Sequence, residues 1–161
     1  NYKFTEFSLS KVINEVVYNA NVTLKSGQEI SYPDNIENIT LRQDEKILEL
    51  VLSNLLGNAI KYSPENSLIT FDIKVDADKI TFGITDQGIG IPEKDQKEIF
   101  KRFYRVSGKD ENTYAGLGIG LFLAHEIIER HGGRLQLESK IGAGSTFTFV
   151  LPYESKLNKG K

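Results

Sequence analysis

The chain has 161 residues and contains no cysteine, which excludes disulfides, thiolate zinc sites and thiol nucleophiles. Its 22 acidic and 20 basic side chains nearly cancel, so the charge balance predicts neither a nucleic-acid-binding surface nor strong attraction to anionic membranes. The length predicts one compact domain. No apolar run approaches the roughly twenty residues of a membrane span. Because the sequence has no methionine at all, we expect it to be a fragment of a longer protein.

The first segment predicts a helix followed by two short strands. Apolar residues recur at helical spacing from residue 9 to about residue 24, and Ser8 stands where a helix N-cap is expected. Residues 29–32 and 38–42 have the composition of strands and are separated by turn residues.

A long helix and a hairpin follow. Asp44 is placed to cap a helix that ends near Tyr62, because Pro64 cannot continue it. Residues 68–75 and 79–85 are rich in β-branched and aromatic residues and are joined by a short polar turn, which predicts a β-hairpin.

Regular pattern is absent from residue 86 to residue 120, where glycine and charged residues dominate. A second strong helix is predicted from about residue 117 to residue 131, with Gly132 available for a left-handed cap. Residues 134–138 and 145–151 predict a closing strand pair.

These elements predict an α/β fold, a two-layer sandwich of a mixed, mainly antiparallel sheet against three helices. The irregular stretch is the exception. An irregular loop of about thirty residues is uncommon inside a compact domain, and it usually marks a functional lid or a linker.

Polar side chains form a stripe along the long helix. Asn54 and Asn58 lie four residues apart, and Lys61 and Tyr62 follow one turn later. Asparagine is a poor helix former, and a buried amide costs free energy unless it is hydrogen-bonded. A bound ligand would satisfy these amides. The stripe alone is also compatible with one exposed asparagine and one that bonds to backbone.

Residues 86–92, with the sequence D-Q-G-I-G-I-P, come directly after a predicted strand. The carboxylate of Asp86 is therefore displayed where the sheet ends, and it can accept a hydrogen bond from an adenine amino group. Gly88 and Gly90 allow a flat ligand to approach the backbone closely. An ordinary turn at the end of a strand would have the same composition.

Two further segments are rich in glycine. Residues 116–120, G-L-G-I-G, precede a helix and can present backbone N–H groups to phosphate oxygens. They are not a Walker loop, because no Gly-Lys-Ser/Thr follows, and no parallel βαβ unit surrounds them as a dinucleotide fingerprint requires. Residues 142–146, G-A-G-S-T, taken alone indicate a hairpin turn.

The order and spacing of the motifs are more specific than any one of them. N-L-L-G-N-A-I-K-Y-S, D-Q-G-I-G-I-P, I-F-K-R-F-Y-R, G-L-G-I-G-L and G-A-G-S-T-F-T-F resemble the sequence boxes of sensor histidine kinases, and the resemblance covers about residues 4–152. It implies the Bergerat ATP-binding fold, which DNA gyrase, mismatch-repair ATPases and heat-shock chaperones share. The domain would then comprise residues 1–152, and residues 153–161 would be a polar, disordered tail.

The resemblance implies binding of ATP with Mg²⁺ and transfer of the γ-phosphoryl group to a histidine on a separate dimerisation domain, for relay to a response regulator. It also implies that this part of the protein is a cytoplasmic domain and monomeric by itself. The parent would be a homodimeric sensor in a bacterial membrane.

The same resemblance assigns roles to individual residues. Asn58 matches the magnesium ligand, and Asp86 matches the contact to the adenine amino group. Gly88 and Gly90 match positions beneath the base. Asn54 matches a catalytic position beside the phosphates and the metal-bound water.

The remaining positions surround the phosphates and the base. Lys61 matches a phosphate contact and Tyr62 a contact to the side of the adenine. Arg105 matches a catalytic contact to the γ-phosphate, and Thr146 a residue that closes the base pocket. The other nucleotide-binding positions that the resemblance implies are Ile91, Tyr104, Gly116, Leu117, Gly118, Ile119, Gly120 and Leu121. We expect the glycines among them to act as hinges of a lid over about residues 104–115, and Phe100 and Phe103 to pack that lid against the body.

ATPases of this fold resemble one another in having a glutamate four residues before the magnesium-binding asparagine. That position is Asn54 here, and an amide cannot take up the proton of an attacking water as a carboxylate can. The sequence therefore favours a kinase over an ATPase, with an anti-sigma-type serine kinase and a degenerate nucleotide-sensing domain as alternatives. His125 is predicted on the solvated side of its helix and His131 at the helix end, so we expect the phosphoacceptor histidine in another domain.

Overall fold

The computed structural model describes residues 3–101 and 119–153. Its helices are α1 (Leu9–Asn21), α2 (Glu45–Tyr62) and α3 (Ile119–Arg130), with a short 3₁₀ helix at Glu93–Asp95. Its strands are β1 (Thr5–Ser8), β2 (Glu29–Ser31), β3 (Thr40–Gln43), β4 (Leu68–Val75), β5 (Lys79–Thr85), β6 (Arg134–Lys140) and β7 (Gly144–Pro152). None of the helices in these ranges is both long enough and apolar enough to cross a membrane.

The main sheet has five strands in the order β2-β4-β5-β7-β6. Its neighbouring strands are antiparallel, except that β2 runs parallel to β4. One face is apolar and packs with the helices into a single core, in which the Phe82 and Phe149 rings stack with their centroids 4.7 Å apart. The predicted two-layer α/β sandwich with a mixed, mainly antiparallel sheet is confirmed.

The second sheet differs from the sequence prediction. It contains β1 and β3, which pair antiparallel with Phe7 opposite Leu41, and both of these side chains are buried. The two early strands that the sequence predicts therefore belong to different sheets, β2 to the large one and β3 to the small one. Strand β1 was not predicted, because four residues with one buried side chain carry too little periodicity.

Two of the three helix caps predicted from the sequence are observed. Asp44 Oδ1 accepts a hydrogen bond from Ile47 N at 3.2 Å, which confirms the predicted cap of α2. Gly132 has a φ of +80° and begins the left-handed cap after α3, as predicted. Ser8 occupies the N-cap position of α1, but its side chain makes no capping hydrogen bond, and its hydroxyl lies 3.0 Å from that of Ser10.

Candidate functional site

A cleft lies where the C-terminal half of α2, the loop after β5 and the start of β7 meet. It contains about 320 Å³ of space, part of it open to solvent. Its lining residues are Asn58, Tyr62, Asp86, Ile89, Gly90, Ile91, Ser145 and Phe147. The fold thus brings together five residues that the sequence had assigned to one site from separate segments: Asn58, Tyr62, Asp86, Gly90 and Ile91.

Asp86 is the buried charge of this cleft, with 8% of its surface exposed. Its Oδ1 accepts hydrogen bonds from Gly88 N at 2.8 Å and Ser145 N at 3.1 Å. Burial raises the pKa of the Asp86 carboxyl, and these two backbone hydrogen bonds act in the opposite direction. Its Oδ2 accepts no hydrogen bond within residues 3–101 and 119–153. The carboxylate is therefore fixed through one oxygen and can offer the other to a donor on a ligand.

Three glycines allow backbone segments to meet around Asp86. A Cβ on Gly88 would lie 2.5 Å from the Tyr62 carbonyl oxygen. Gly90 and Gly144 have φ values of +76° and +82°, and a Cβ on either would lie 2.2 Å from a backbone oxygen, that of Lys140 or Asp86 respectively. The space left by the missing side chains is thus filled by protein backbone, whereas the sequence had suggested close approach of a ligand.

Helix α2 presents the predicted polar stripe at the edge of the core. Asn54 and Asn58 are half-buried, and neither side chain forms a hydrogen bond in the described part of the chain. Asn58 lines the cleft, whereas Asn54 lies one turn earlier on the helix. Lys61 is exposed, with its ammonium 5.8 Å from the centre of the Tyr62 ring.

The donor set of the cleft suits a magnesium ion only when a ligand supplies further oxygens. Among the described residues no cluster of three or more histidine, aspartate or glutamate side chains could hold a metal ion. The amide oxygen of Asn58 is a hard ligand of the kind Mg²⁺ accepts, and Mg²⁺ usually takes its remaining ligands from phosphates and water.

Thr146 is placed differently from the sequence expectation. Its hydroxyl lies 3.0 Å from that of Thr85, and the residues that line the cleft are its neighbours Ser145 and Phe147. Side chains alternate along a strand, so the register of β7 brings Ser145 to the Asp86 side. Sequence reasoning missed Ser145, although the alternation of apolar residues along β7 pointed to it.

Ser145 also joins the site to the β6–β7 hairpin. Its hydroxyl lies 2.7 Å from that of Ser139, which accepts a hydrogen bond from Ile91 N at 2.8 Å. Gln96 donates to the carbonyl oxygens of Ile91 and Ser139 at 2.9 and 3.0 Å. These bonds fix the far end of the loop that begins with Asp86.

Several predicted site residues lie outside the described residues: Tyr104, Arg105, Gly116, Leu117 and Gly118, together with Phe103 and the rest of the predicted lid over 104–115. Ile119 and Gly120 begin α3, and Leu121 is completely buried in the core.

His125 is less solvated than the sequence predicts. Its side chain is 30% exposed and lies near Glu129, with 3.6 Å between Nε2 and Oε1. Its ring stacks on that of Phe100 with 5.1 Å between centroids, and Phe100 meets the Phe147 ring edge-on at 6.4 Å. The predicted packing of Phe100 against the body is therefore observed.

The comparisons with known proteins agree with this geometry. Residues 43–155 match the family described as histidine kinase-, DNA gyrase B- and HSP90-like ATPase. The chain is 40% identical over 126 residues to the sensor histidine kinase WalK of Bacillus subtilis, covering 77% of this chain and 20% of WalK. It is 32% identical over 148 residues to the sensor-like histidine kinase SenX3 of Mycobacterium bovis, covering 92% of this chain and 36% of SenX3. Among solved structures, the catalytic domain of the histidine kinase ThkA in a nucleotide-free form matches with a TM-score of 0.81 and 28% identity, over 95% of this chain and 99% of that one.

The chain belongs to the histidine kinase-, DNA gyrase B- and HSP90-like ATPase family. Within it, the fold is that of a histidine kinase catalytic domain, the Bergerat fold that the motifs predict. The chain spans only about a fifth to a third of the length of the curated relatives described above.

Proposed function

We propose that this chain is the ATP-binding catalytic domain of a two-component sensor histidine kinase, with residues 1–152 as the domain and residues 153–161 as a polar tail. It binds Mg-ATP and transfers the γ-phosphoryl group to a histidine on a separate dimerisation domain, for relay to a response regulator. The observation that carries this proposal is the buried Asp86 carboxylate in one cleft with the half-buried amide of Asn58.

The base end of the cleft has the chemistry to recognise adenine. Ile91 and Phe147 are buried apolar walls suited to a flat ring. Asp86 Oδ2 accepts from the exocyclic amino group, while the two backbone N–H groups keep the carboxylate in place. Guanine carries a carbonyl at that ring position, so the same carboxylate discriminates against it.

The phosphate end begins at Asn58. Its amide oxygen would hold the Mg²⁺, which neutralises phosphate charge when bound. Lys61 is exposed one turn further along α2, with its ammonium 5.8 Å from the centre of the Tyr62 ring, and we assign it the attraction of the phosphates. We assign Arg105 the contact to the γ-phosphate, and we assign the lid to residues 104–115 with Gly116, Gly118 and Gly120 as its hinges.

Transfer to a protein acceptor is favoured over hydrolysis by Asn54. This half-buried amide stands one turn before Asn58, and it cannot remove a proton from water. The relatives named above are kinases, and ThkA has been solved in complex with the response regulator TrrA, which supports a relay of the same kind. We place the domain in the cytoplasm of a bacterium, attached to a homodimeric membrane sensor.

A single substitution tests whether the chain is a kinase or an ATPase. Asn54→Glu restores a carboxylate one turn before Asn58, and we expect it to raise the slow release of phosphate from Mg-ATP by about a hundredfold, the lower end of what general base catalysis provides. Asn54→Gln is the matched control, because it lengthens the side chain without adding a base. Brisk phosphate release by the unmodified chain, equal to that of Asn54→Glu, would contradict the kinase assignment.

A further inference from the structure

The C-terminal end of α2 is held by side chains from another segment. The Ser63 N–H bonds to Ala59 O at 3.2 Å, and Pro64 has no N–H to continue the helical pattern. The carbonyl oxygens that follow Ala59 therefore need other donors. Two of them are supplied by the turn before β2, where Gln28 Nε2 reaches Ile60 O at 3.1 Å and Lys25 Nζ reaches Lys61 O at 2.7 Å.

Gln28 uses both ends of its side-chain amide in this arrangement. Besides Ile60 O, its Nε2 lies 3.1 Å from the carbonyl oxygens of Ser63 and Pro64, and its Oε1 accepts from Lys25 N at 2.8 Å. The side chain is buried, so water does not replace these bonds. An amide is needed here, because a carboxylate would have no hydrogen to donate to three carbonyl oxygens.

Lys25 adds a charge to the same arrangement. Its Nζ donates to the carbonyl oxygens of Lys61 and Ser63, both at 2.7 Å. The C-terminal end of a helix carries partial negative charge, so an ammonium is favourable at that position. Gln28 and Lys25 together form a side-chain clamp on the last turn of α2 and the two residues after it.

The clamped turn forms one wall of the cleft. Tyr62 lies on it and Asn58 directly precedes it, and both line the cleft. The Tyr62 carbonyl at the end of this turn packs closely against Gly88: a Cβ added to Gly88 would lie 2.5 Å from the carbonyl oxygen. The N–H of Gly88 is in turn hydrogen-bonded to the Asp86 carboxylate on the other side of the cleft. The position of this turn therefore sets the separation between Asn58 and Asp86.

We propose that Gln28, assisted by Lys25, is a positioning residue of the nucleotide site, which holds the last turn of α2 so that Asn58 and Asp86 face the same ligand. The inference rests on the proposed function, since it assigns a role in nucleotide binding. Neither residue lies in any of the five motifs, and neither lines the base end of the cleft.

Gln28→Glu tests this role directly. At pH 8 the new carboxylate repels the carbonyl oxygens, and we expect the affinity for adenosine to fall about tenfold relative to the unmodified chain, as the loss of one buried hydrogen bond predicts. Adenosine is the probe because it has no phosphate, so direct repulsion between the new charge and a phosphate is excluded. As the pH falls, protonation of the introduced carboxylate restores a hydrogen-bond donor. The affinity of Gln28→Glu for adenosine, divided by that of the unmodified chain at the same pH, should then approach one.

The matched control is Gln136→Glu, which places the same change on an exposed site of β6. It should bind adenosine as the unmodified chain does at every pH. Circular dichroism and thermal unfolding establish that each variant is folded at the temperature of the titration.

Lys25→Gln is the second variant and decides the question if Gln28→Glu does not fold, because Lys25 is exposed and its replacement leaves the core intact. We expect several-fold weaker binding of adenosine and a shift of the Gly88 amide resonance. The proposal would be overturned if a folded Gln28→Glu bound adenosine as tightly as the unmodified chain at pH 8. It would also be overturned if the loss of adenosine affinity at pH 8 were as large at low pH. If the unmodified chain binds neither adenosine nor Mg-ADP, the proposed function itself fails.

Discussion

Replacing Gly88 by alanine tests whether close contact between α2 and the Asp86 loop shapes the cleft. The φ of Gly88 does not require glycine, so the substitution adds bulk without backbone strain. The new Cβ would lie 2.5 Å from the Tyr62 carbonyl oxygen and 2.9 Å from Asp86 Oδ1. Ordinary contacts begin near 3.4 Å, so the Tyr62 carbonyl, and with it the last turn of α2, has to move outward by about 0.9 Å.

That displacement has two consequences of predictable size. Forcing a methyl group into a packed site costs about 1–3 kcal/mol of unfolding free energy. Moving Tyr62 and Asn58 away from Asp86 by nearly 1 Å should weaken Mg-ADP binding about tenfold or more, because binding groups lose alignment at such distances.

Gly57→Ala is the matched control on the same helix. A Cβ at Gly57 would meet nothing within 4 Å, and the position is exposed. Alanine should therefore raise the unfolding free energy by about 1 kcal/mol through helix propensity and leave the affinity for Mg-ADP unchanged. Chemical denaturation and calorimetric titration of the two variants measure both quantities. A Gly88→Ala protein with unchanged stability and unchanged affinity would refute the reasoning.

Two further substitutions distinguish the contact to the adenine base from the contact to the magnesium ion. Asp86→Asn should weaken ATP and ADP equally by calorimetric titration, because the two nucleotides share the base; a loss confined to ATP would contradict this. Because burial raises the pKa of Asp86 above its usual 3.8, the folded state binds a proton more tightly than the unfolded state, and stability falls as the pH rises through the folded pKa. Asp86→Asn should therefore gain stability relative to the unmodified chain as the pH rises above 3.8. Thermal unfolding measured as a function of pH would show no such trend if the carboxyl were unperturbed. Asn58→Ala should weaken the magnesium complexes far more than the metal-free nucleotides, and equal losses with and without chelator would remove Asn58 as the metal ligand.

The sequence predicted those parts of the fold in which local chemistry decides the structure. The β4–β5 hairpin has the bounds that alternation and the polar turn predict, and Asp44 caps α2 as expected. The pairing of β2 with β4 and of β1 with β3 was not predictable in this way, because short strands acquire partners through tertiary packing.

In the site, too, local sequence predicted some residues, whereas others depend on tertiary contacts. The motifs brought out Asn58 and Asp86, which the fold places in one cleft. They assigned Thr146 to the site in place of Ser145, although the alternation of apolar residues along β7 puts Ser145 on the same face as Phe147, and the strand register confirms it. Gln28 was missed because its partners are backbone carbonyls more than thirty residues away, and backbone groups leave no trace in the sequence.

The most direct test of the account is phosphoryl transfer in trans. The chain is incubated with γ-labelled Mg-ATP and a dimeric helical domain that carries the candidate acceptor histidine, and protein-bound label and free phosphate are followed in the same samples. An acceptor domain with its histidine replaced by alanine is the control. We expect acid-labile label on the acceptor domain alone, with little phosphate release and a rate limited by docking, since no tether raises the effective concentration. Stable label on His125 or His131, or rapid phosphate release without transfer to a matching acceptor domain, would contradict it.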